Sequence, residues 1–208
     1  MRDHPTQIRA LIPARVSKSH KGTYGRLLII AGSNQYTGAA ELVVEAALRS
    51  GVGMVFVATV KSAADVIKIR SPEAIVIECP DHNGVLDSVR SLSIIKTVIN
   101  ERKINSFCIG SGLGVMSDMD IFFEQIIQQF IEKKIPGVFD ADGLSYAAEA
   151  CLKKSPNKNQ FIFTPHPKEF ARIAEVVGVS LNKNIEKSMQ SWIQIIDQII
   201  VYKNNQTL

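Results

Sequence analysis

Between residues 26 and 202, short apolar runs alternate with longer stretches of helical periodicity, and this alternation limits the fold more than any other feature of the chain. The runs at 26–31, 54–60, 74–77, 106–109, 137–140, 160–164 and 198–202 predict strands. Most are continuous rather than alternating, as expected of strands covered on both faces. Helical spacing predicts helices over 39–50, 63–70, 86–100, 120–134, 143–152, 167–177 and 183–197. In the fourth of these, Phe122, Phe123, Ile126, Ile127 and Phe130 form one apolar stripe, read as core packing. Repeated β-α alternation predicts an α/β fold with a mainly parallel central sheet between two helical layers. With 208 residues, no internal repeat and no linker-like segment, the expectation is a single domain over 1–208.

Composition excludes several function classes. A net charge of +4 is mild and the basic residues are dispersed, which argues against a nucleic-acid stripe. No segment approaches the roughly 20 apolar residues that span a bilayer, and the start Met1-Arg2-Asp3-His4-Pro5 lacks a signal-peptide run. A cytoplasmic protein with no membrane partner is expected. The cysteines Cys79, Cys108 and Cys151 show neither metal-ligand spacing nor a disulfide pattern, and Cys108 reads as a small buried hydrophobe.

Parallel sheets place ligands at the carboxyl ends of their strands, so residues just after each run carry the chemistry. Four such ends are polar or glycine-rich. Gly32-Ser33-Asn34 follows the first run, and Gly110-Ser111-Gly112-Leu113-Gly114 the fourth. The latter lets backbone approach a ligand, and its amides suit a pyrophosphate, although it matches neither a Walker loop nor a GxGxxG turn. Asp140 and Asp142 sit two apart and would share a face in extended backbone, able to hold Mg²⁺ or position a hydroxyl. The alternative is that Asp142 caps the next helix while Asp140 bonds a neighbouring loop. His166 stands between two prolines, a stiff frame that suits recognition. Glu169 is read either as a contact for metal-bound water or as a dipole partner in the first turn of a helix. Gly38-Ala39-Ala40 would let a helix N-terminus approach a ligand, or serve tight packing. Lys21-Gly22-Thr23-Tyr24-Gly25 is either an anion-binding turn or a plain one. No nucleophile elbow and no zinc signature occur.

Taken in this order, the motifs resemble the ATP/ADP-dependent NAD(P)H-hydrate dehydratases, which repair hydrated NADH and NADPH. The matching stretches include His20-Lys21-Gly22-Thr23-Tyr24-Gly25-Arg26, Tyr36-Thr37-Gly38-Ala39-Ala40, Asp140-Ala141-Asp142-Gly143-Leu144 and Thr164-Pro165-His166-Pro167-Lys168-Glu169-Phe170. The resemblance implies a ribokinase-like three-layer fold, ADP or ATP as co-substrate, Mg²⁺, and a homo-oligomer as the common assembly. It places Ala39, the loop glycines Gly112 and Gly114, and His166 on the hydrated dinucleotide, and Lys203, Asn204, Asn205, Gln206 and Thr207 on the nucleotide phosphates; the residue readings above add Asp140 and Asp142 as candidate substrate contacts and Glu169 as a candidate for the metal. Two departures stand out. The phosphate stretch lacks the usual glycine after its lysine, and the family's Gly-Asp loop, whose aspartate activates the acceptor hydroxyl, has no counterpart because no Gly-Asp pair occurs. The catalytic group is therefore unassigned, and a fragment of low or no activity with one side of its sheet exposed is expected. A small-molecule kinase of the same superfamily and a non-catalytic nucleotide-binding protein would share these strand ends.

Overall fold

The computed structural model describes residue 14 and residues 16–204. Among the described residues nine strands form: β1 (Arg26–Ile30), β2 (Met54–Thr59), β3 (Ile75–Glu78), β4 (Asp81–His82), β5 (Val85–Leu86), β6 (Ser106–Ile109), β7 (Gly137–Phe139), β8 (Phe161–Phe163) and β9 (Ile199–Ile200). The helices are α1 (Thr37–Arg49), α2 (Lys61–Arg70), α3 (Ser88–Glu101), α4 (Met119–Glu132), α5 (Leu144–Lys154), α6 (Pro167–Val176) and α7 (Ile185–Ile196). Seven strands join one sheet in the order β3-β2-β1-β6-β7-β8-β9, and every pairing in it is parallel. The α/β architecture expected from the alternation is thus observed. The order reverses between β1 and β6, which makes their carboxyl ends the crevice where such sheets open to ligands.

The apolar runs do what continuous hydrophobicity requires. Leu28, Ile29, Ile30, Phe56, Val57, Phe107, Ile109, Phe139, Phe161 and Phe163 are all buried. Below the rim of β6, β7 and β8 the rings interlock: Phe107 stacks on Phe130 with centroids 3.9 Å apart and meets Phe139 at 5.0 Å and Phe161 at 5.6 Å. Gly137 lies in register with Phe107, and a Cβ there would stand 2.4 Å from the ring. The α4 stripe packs into this core as expected, with all five of its residues buried.

One element differs from the expectation. Ahead of the helix expected from 86, which forms as α3 over Ser88–Glu101, no element was expected, yet residues 81–86 form a small antiparallel hairpin, β4–β5, turned by Asn83 (φ 53°) and Gly84 (φ 78°). Asn-Gly is the strongest short-range hairpin signal, because both central residues of a type I′ turn need positive φ. Asp87 then caps α3, accepting from the Arg90 amide at 2.9 Å and its Nε at 2.7 Å. These donors hold the Asp87 carboxyl below the usual carboxylate range. At the far edge, Ile195 of α7 and Ile199 of β9 are exposed. Among the described residues, no helix is long and apolar enough to cross a membrane.

Candidate functional site

At the reversal point the turns after β1 and β6 are stitched together, for the Gly32 amide donates to the Ser111 carbonyl at 2.9 Å. Gly112 has φ 66°, and a Cβ there would come within 2.8 Å of the Ala39 Cβ and 2.7 Å of the Tyr36 Cβ. The glycine loop therefore lies directly on the first turn of α1. Ala39 and Gly112, both expected to touch one ligand, are brought into contact. Tyr36, the half-exposed residue before α1, completes this corner and was not singled out from sequence. The first turn of α1 has no side-chain cap and no acidic residue, which suits an anion at its N-terminus.

The turn after β7 corrects one expectation and resolves another. Asp140 is extended, but Ala141 takes φ 48° and starts a 3-10 turn through Gly143, so Asp140 and Asp142 do not share a face of extended backbone. Asp142 caps no helix. Its Oδ2 accepts from the Gly114 amide at 2.9 Å and ties the glycine loop to this turn. Asp140 bonds neighbouring loops: its Oδ1 accepts from Thr164 Oγ1 at 2.8 Å and from Lys203 Nζ at 2.6 Å. Its charge reaches Cys108 on β6. Burial first, and then the Asp140 charge, push that partly buried thiol up to about 11.

After β8, His166 N-caps α6. Its Nδ1 accepts from the amides of Lys168 at 3.1 Å and Glu169 at 3.3 Å, while Glu169 Oε2 accepts from the His166 amide at 2.8 Å. This reciprocal capping box satisfies first-turn amides that would otherwise be orphaned. Because Nδ1 accepts, the ring proton sits on Nε2, 3.4 Å from Glu169 Oε1 and half-exposed. Of the two readings of Glu169, the first-turn partner is the one with a visible contact.

A cavity of about 280 Å³ opens between these elements, lined by Gly114, Asp142, Glu169, Arg172 and the first turn of α5. It brings together three of the expected residues. Ala39, Gly112, Asp140 and His166 do not line it. Arg172 was missed, although its spacing of three from Glu169 puts the two on one side of α6. Among the described residues no three His, Cys, Asp or Glu side chains converge as a metal cage. Asp142 and Glu169 on one cavity do fit Mg²⁺, which takes one or two carboxylates and completes its shell with water and phosphate.

Lys203 follows β9, with its amide donating to the Pro165 carbonyl at 2.9 Å and its ammonium on Asp140. Asn204 is exposed beside it. Asn205, Gln206 and Thr207 lie outside the described residues. The turn Lys21–Tyr24 sits at the amino end of β1, against Gly53 and away from this rim, so it forms no part of the site.

Comparison with known proteins gives the family. A family model described as NAD(P)H-hydrate dehydratase matches residues 27–208. The chain is 32% identical over 197 residues to the ADP-dependent (S)-NAD(P)H-hydrate dehydratase of Lactococcus lactis, covering 95% of this chain and 65% of that protein. It is 30% identical to the ATP-dependent (S)-NAD(P)H-hydrate dehydratase of Aspergillus fumigatus, across 89% of this chain and 51% of that one. Its fold matches the ADP/ATP-dependent NAD(P)H-hydrate dehydratase of Bacillus subtilis co-crystallized with ATP/Mg2+, with a TM-score of 0.71 and 29% identity, over 97% of this chain and 66% of that one. A ribokinase-like superfamily protein from Enterococcus faecalis superposes with a TM-score of 0.72.

Proposed function

The chain belongs to the NAD(P)H-hydrate dehydratase family, and from that premise we propose that its strand-end rim holds hydrated NADH or NADPH beside ADP or ATP for a dehydration that restores the reduced dinucleotide. The observation that carries this is the continuity of the rim. The contact of Gly112 with Ala39, the bond of Asp142 to Gly114, and the bonds of Asp140 to Thr164 and Lys203 join the ends of five strands, β1, β6, β7, β8 and β9, at one rim of the sheet.

The reaction needs a better leaving group than hydroxide. Transfer of the nucleotide's terminal phosphoryl to the ring hydroxyl makes that oxygen part of a phosphate. The ring nitrogen's electron pair then expels phosphate, the neighbouring carbon loses its proton, and the double bond of the dihydronicotinamide returns. ADP would leave as AMP, and ATP as ADP. In this reading the uncapped first turn of α1 and the amides of the glycine loop hold the dinucleotide's pyrophosphate. His166, with its proton on Nε2, offers a donor to a ligand hydroxyl or carbonyl. Lys203 meets the nucleotide phosphates, with Arg172 on the cavity side. Asp142 and Glu169 would hold Mg²⁺, which when bound offsets phosphate charge. Three free thiols fit a cytoplasmic site of action.

Calorimetry with hydrated NADPH and with ADP in magnesium chloride tests this reading. Saturable binding of both is expected, with loss of dinucleotide binding in Gly112→Ala while ADP still binds. Incubating all three then reports the reaction: phosphate released together with NADPH marks dehydration, whereas a stable phosphorylated product marks a kinase. If neither ligand binds, the reading fails.

A further inference from the structure

Lys203 has two claims on its ammonium. It lies 2.6 Å from Asp140 Oδ1, across the end of β8, and Thr164 Oγ1 donates to the same oxygen at 2.8 Å. Strands β7, β8 and β9 are consecutive in the sheet, so this one carboxylate oxygen ties three strand ends together. The Lys203 amide, donating to Pro165 O, fixes the backbone from which the side chain reaches. The pair is not sealed from water, with 44% of the lysine side chain and 28% of the aspartate side chain exposed. An ion pair this open is weak and can be exchanged for another anion.

Resting on the proposed nucleotide role of Lys203, we propose that Asp140 is a positioning residue that stores the Lys203 ammonium at the rim and surrenders it to the terminal phosphate of an incoming nucleotide. Asp140 and that phosphate then compete for one cation. The exchange has a second consequence. Once Lys203 leaves, Asp140 Oδ1 has only Thr164 as a donor and gains room to accept from a hydroxyl of the hydrated dinucleotide. Nucleotide binding thereby prepares the neighbouring site, and linkage requires the dinucleotide to favour the nucleotide by the same factor.

The test is a binding cycle on the whole chain with ADP in magnesium chloride, using wild type, Asp140→Asn, Lys203→Gln and the double variant, and adenosine as the phosphate-free control. Competition predicts that Asp140→Asn binds ADP about two- to five-fold more tightly than wild type, the range expected for releasing an exposed ion pair. It also predicts that Lys203→Gln binds more weakly, that the gain disappears in the double variant, and that adenosine does not distinguish wild type from Asp140→Asn. Should Asp140→Asn fail to fold, Asp140→Ser takes its place, since its hydroxyl can still accept from Thr164. Equal or weaker ADP binding in the folded Asp140 variant overturns the proposal while leaving the nucleotide reading intact. Failure of wild type to bind ADP, or indifference of ADP binding to Lys203→Gln, overturns both.

Discussion

The same three strands carry two regions that could hardly differ more. Beneath β6, β7 and β8 lies an aromatic floor of Phe107, Phe130, Phe139, Phe161 and Phe163, all buried and in ring contact. Above them lies a partly exposed rim, in which Asp140 accepts single hydrogen bonds from Thr164 and, beyond β9, from Lys203, while His166 caps its own helix. Phe139 and Asp140 are consecutive, so the boundary between the regions is one peptide wide. The floor is indifferent to ligand chemistry and holds the strands in register. The ion pair of the rim is open to water, which leaves its charged groups free to exchange partners. Substitutions in the floor should therefore change stability, and substitutions in the rim should change binding.

The largest effect that could break this contrast is Phe107→Ala. It removes the ring stacked on Phe130 and opposite Gly137, and the expected loss is about 3–5 kcal/mol in urea unfolding. A shift below about 1 kcal/mol would mean that the floor does not hold the sheet. Next comes alkaline pH. Burial raises Cys79 and Cys108 to about 11 and Cys151 to about 12, against an ordinary 9.0. Below pH 9 these thiols are neutral in both states and their contribution is complete. As pH rises past 9 the unfolded chain gains thiolate first, so stability falls by about 1.4 kcal/mol per pH unit for each thiol until the folded thiols ionise. Urea midpoints between pH 8 and 11 should follow that slope, and Cys108→Ser should remove about a third of it. A flat profile would show that water reaches the floor.

The two regions were also legible in the sequence to different degrees. Continuous apolar runs and the α4 stripe announced the floor, because burial on both faces leaves no alternation to misread. Strand ends picked out the rim, since a parallel sheet exposes ligands only there. What single positions would do was less legible. Asp140 and Asp142 looked alike at a spacing of two, and only the positive φ of Ala141 sends one to Thr164 and Lys203 and the other to Gly114. His166 looked like a ligand contact, yet its Nδ1 is engaged by two amides of its own helix. The hairpin Asp81–Leu86 was missed although Asn83-Gly84 marks it, because two-residue strands leave too short a pattern for periodicity to register.

A smaller effect separates capping from recognition at His166. His166→Ala removes the acceptor for two amides and should cost about 1–2 kcal/mol, whereas His166→Asn supplies a good N-cap and should recover most of it. If Asn restores stability but not dinucleotide binding, the imidazole has a ligand role beyond its cap. If Asn restores both, His166 belongs with the structural residues and the rim shrinks by one.

The smallest effect expected on stability, and the sharpest on the contrast, is Asp142→Asn. The amide oxygen of Asn can still accept from Gly114, so the loop should keep its place and stability should change by no more than about 0.5 kcal/mol. Only the charge facing the cavity is lost. With ADP as probe, the variant should match wild type when magnesium is withheld and bind more weakly when magnesium is present, because the carboxylate pair Asp142 and Glu169 is what would hold the cation. Equal weakening in both conditions would put Asp142 on the side of loop structure. It would also leave Glu169, already committed to the amide of His166, as the remaining carboxylate on the cavity wall.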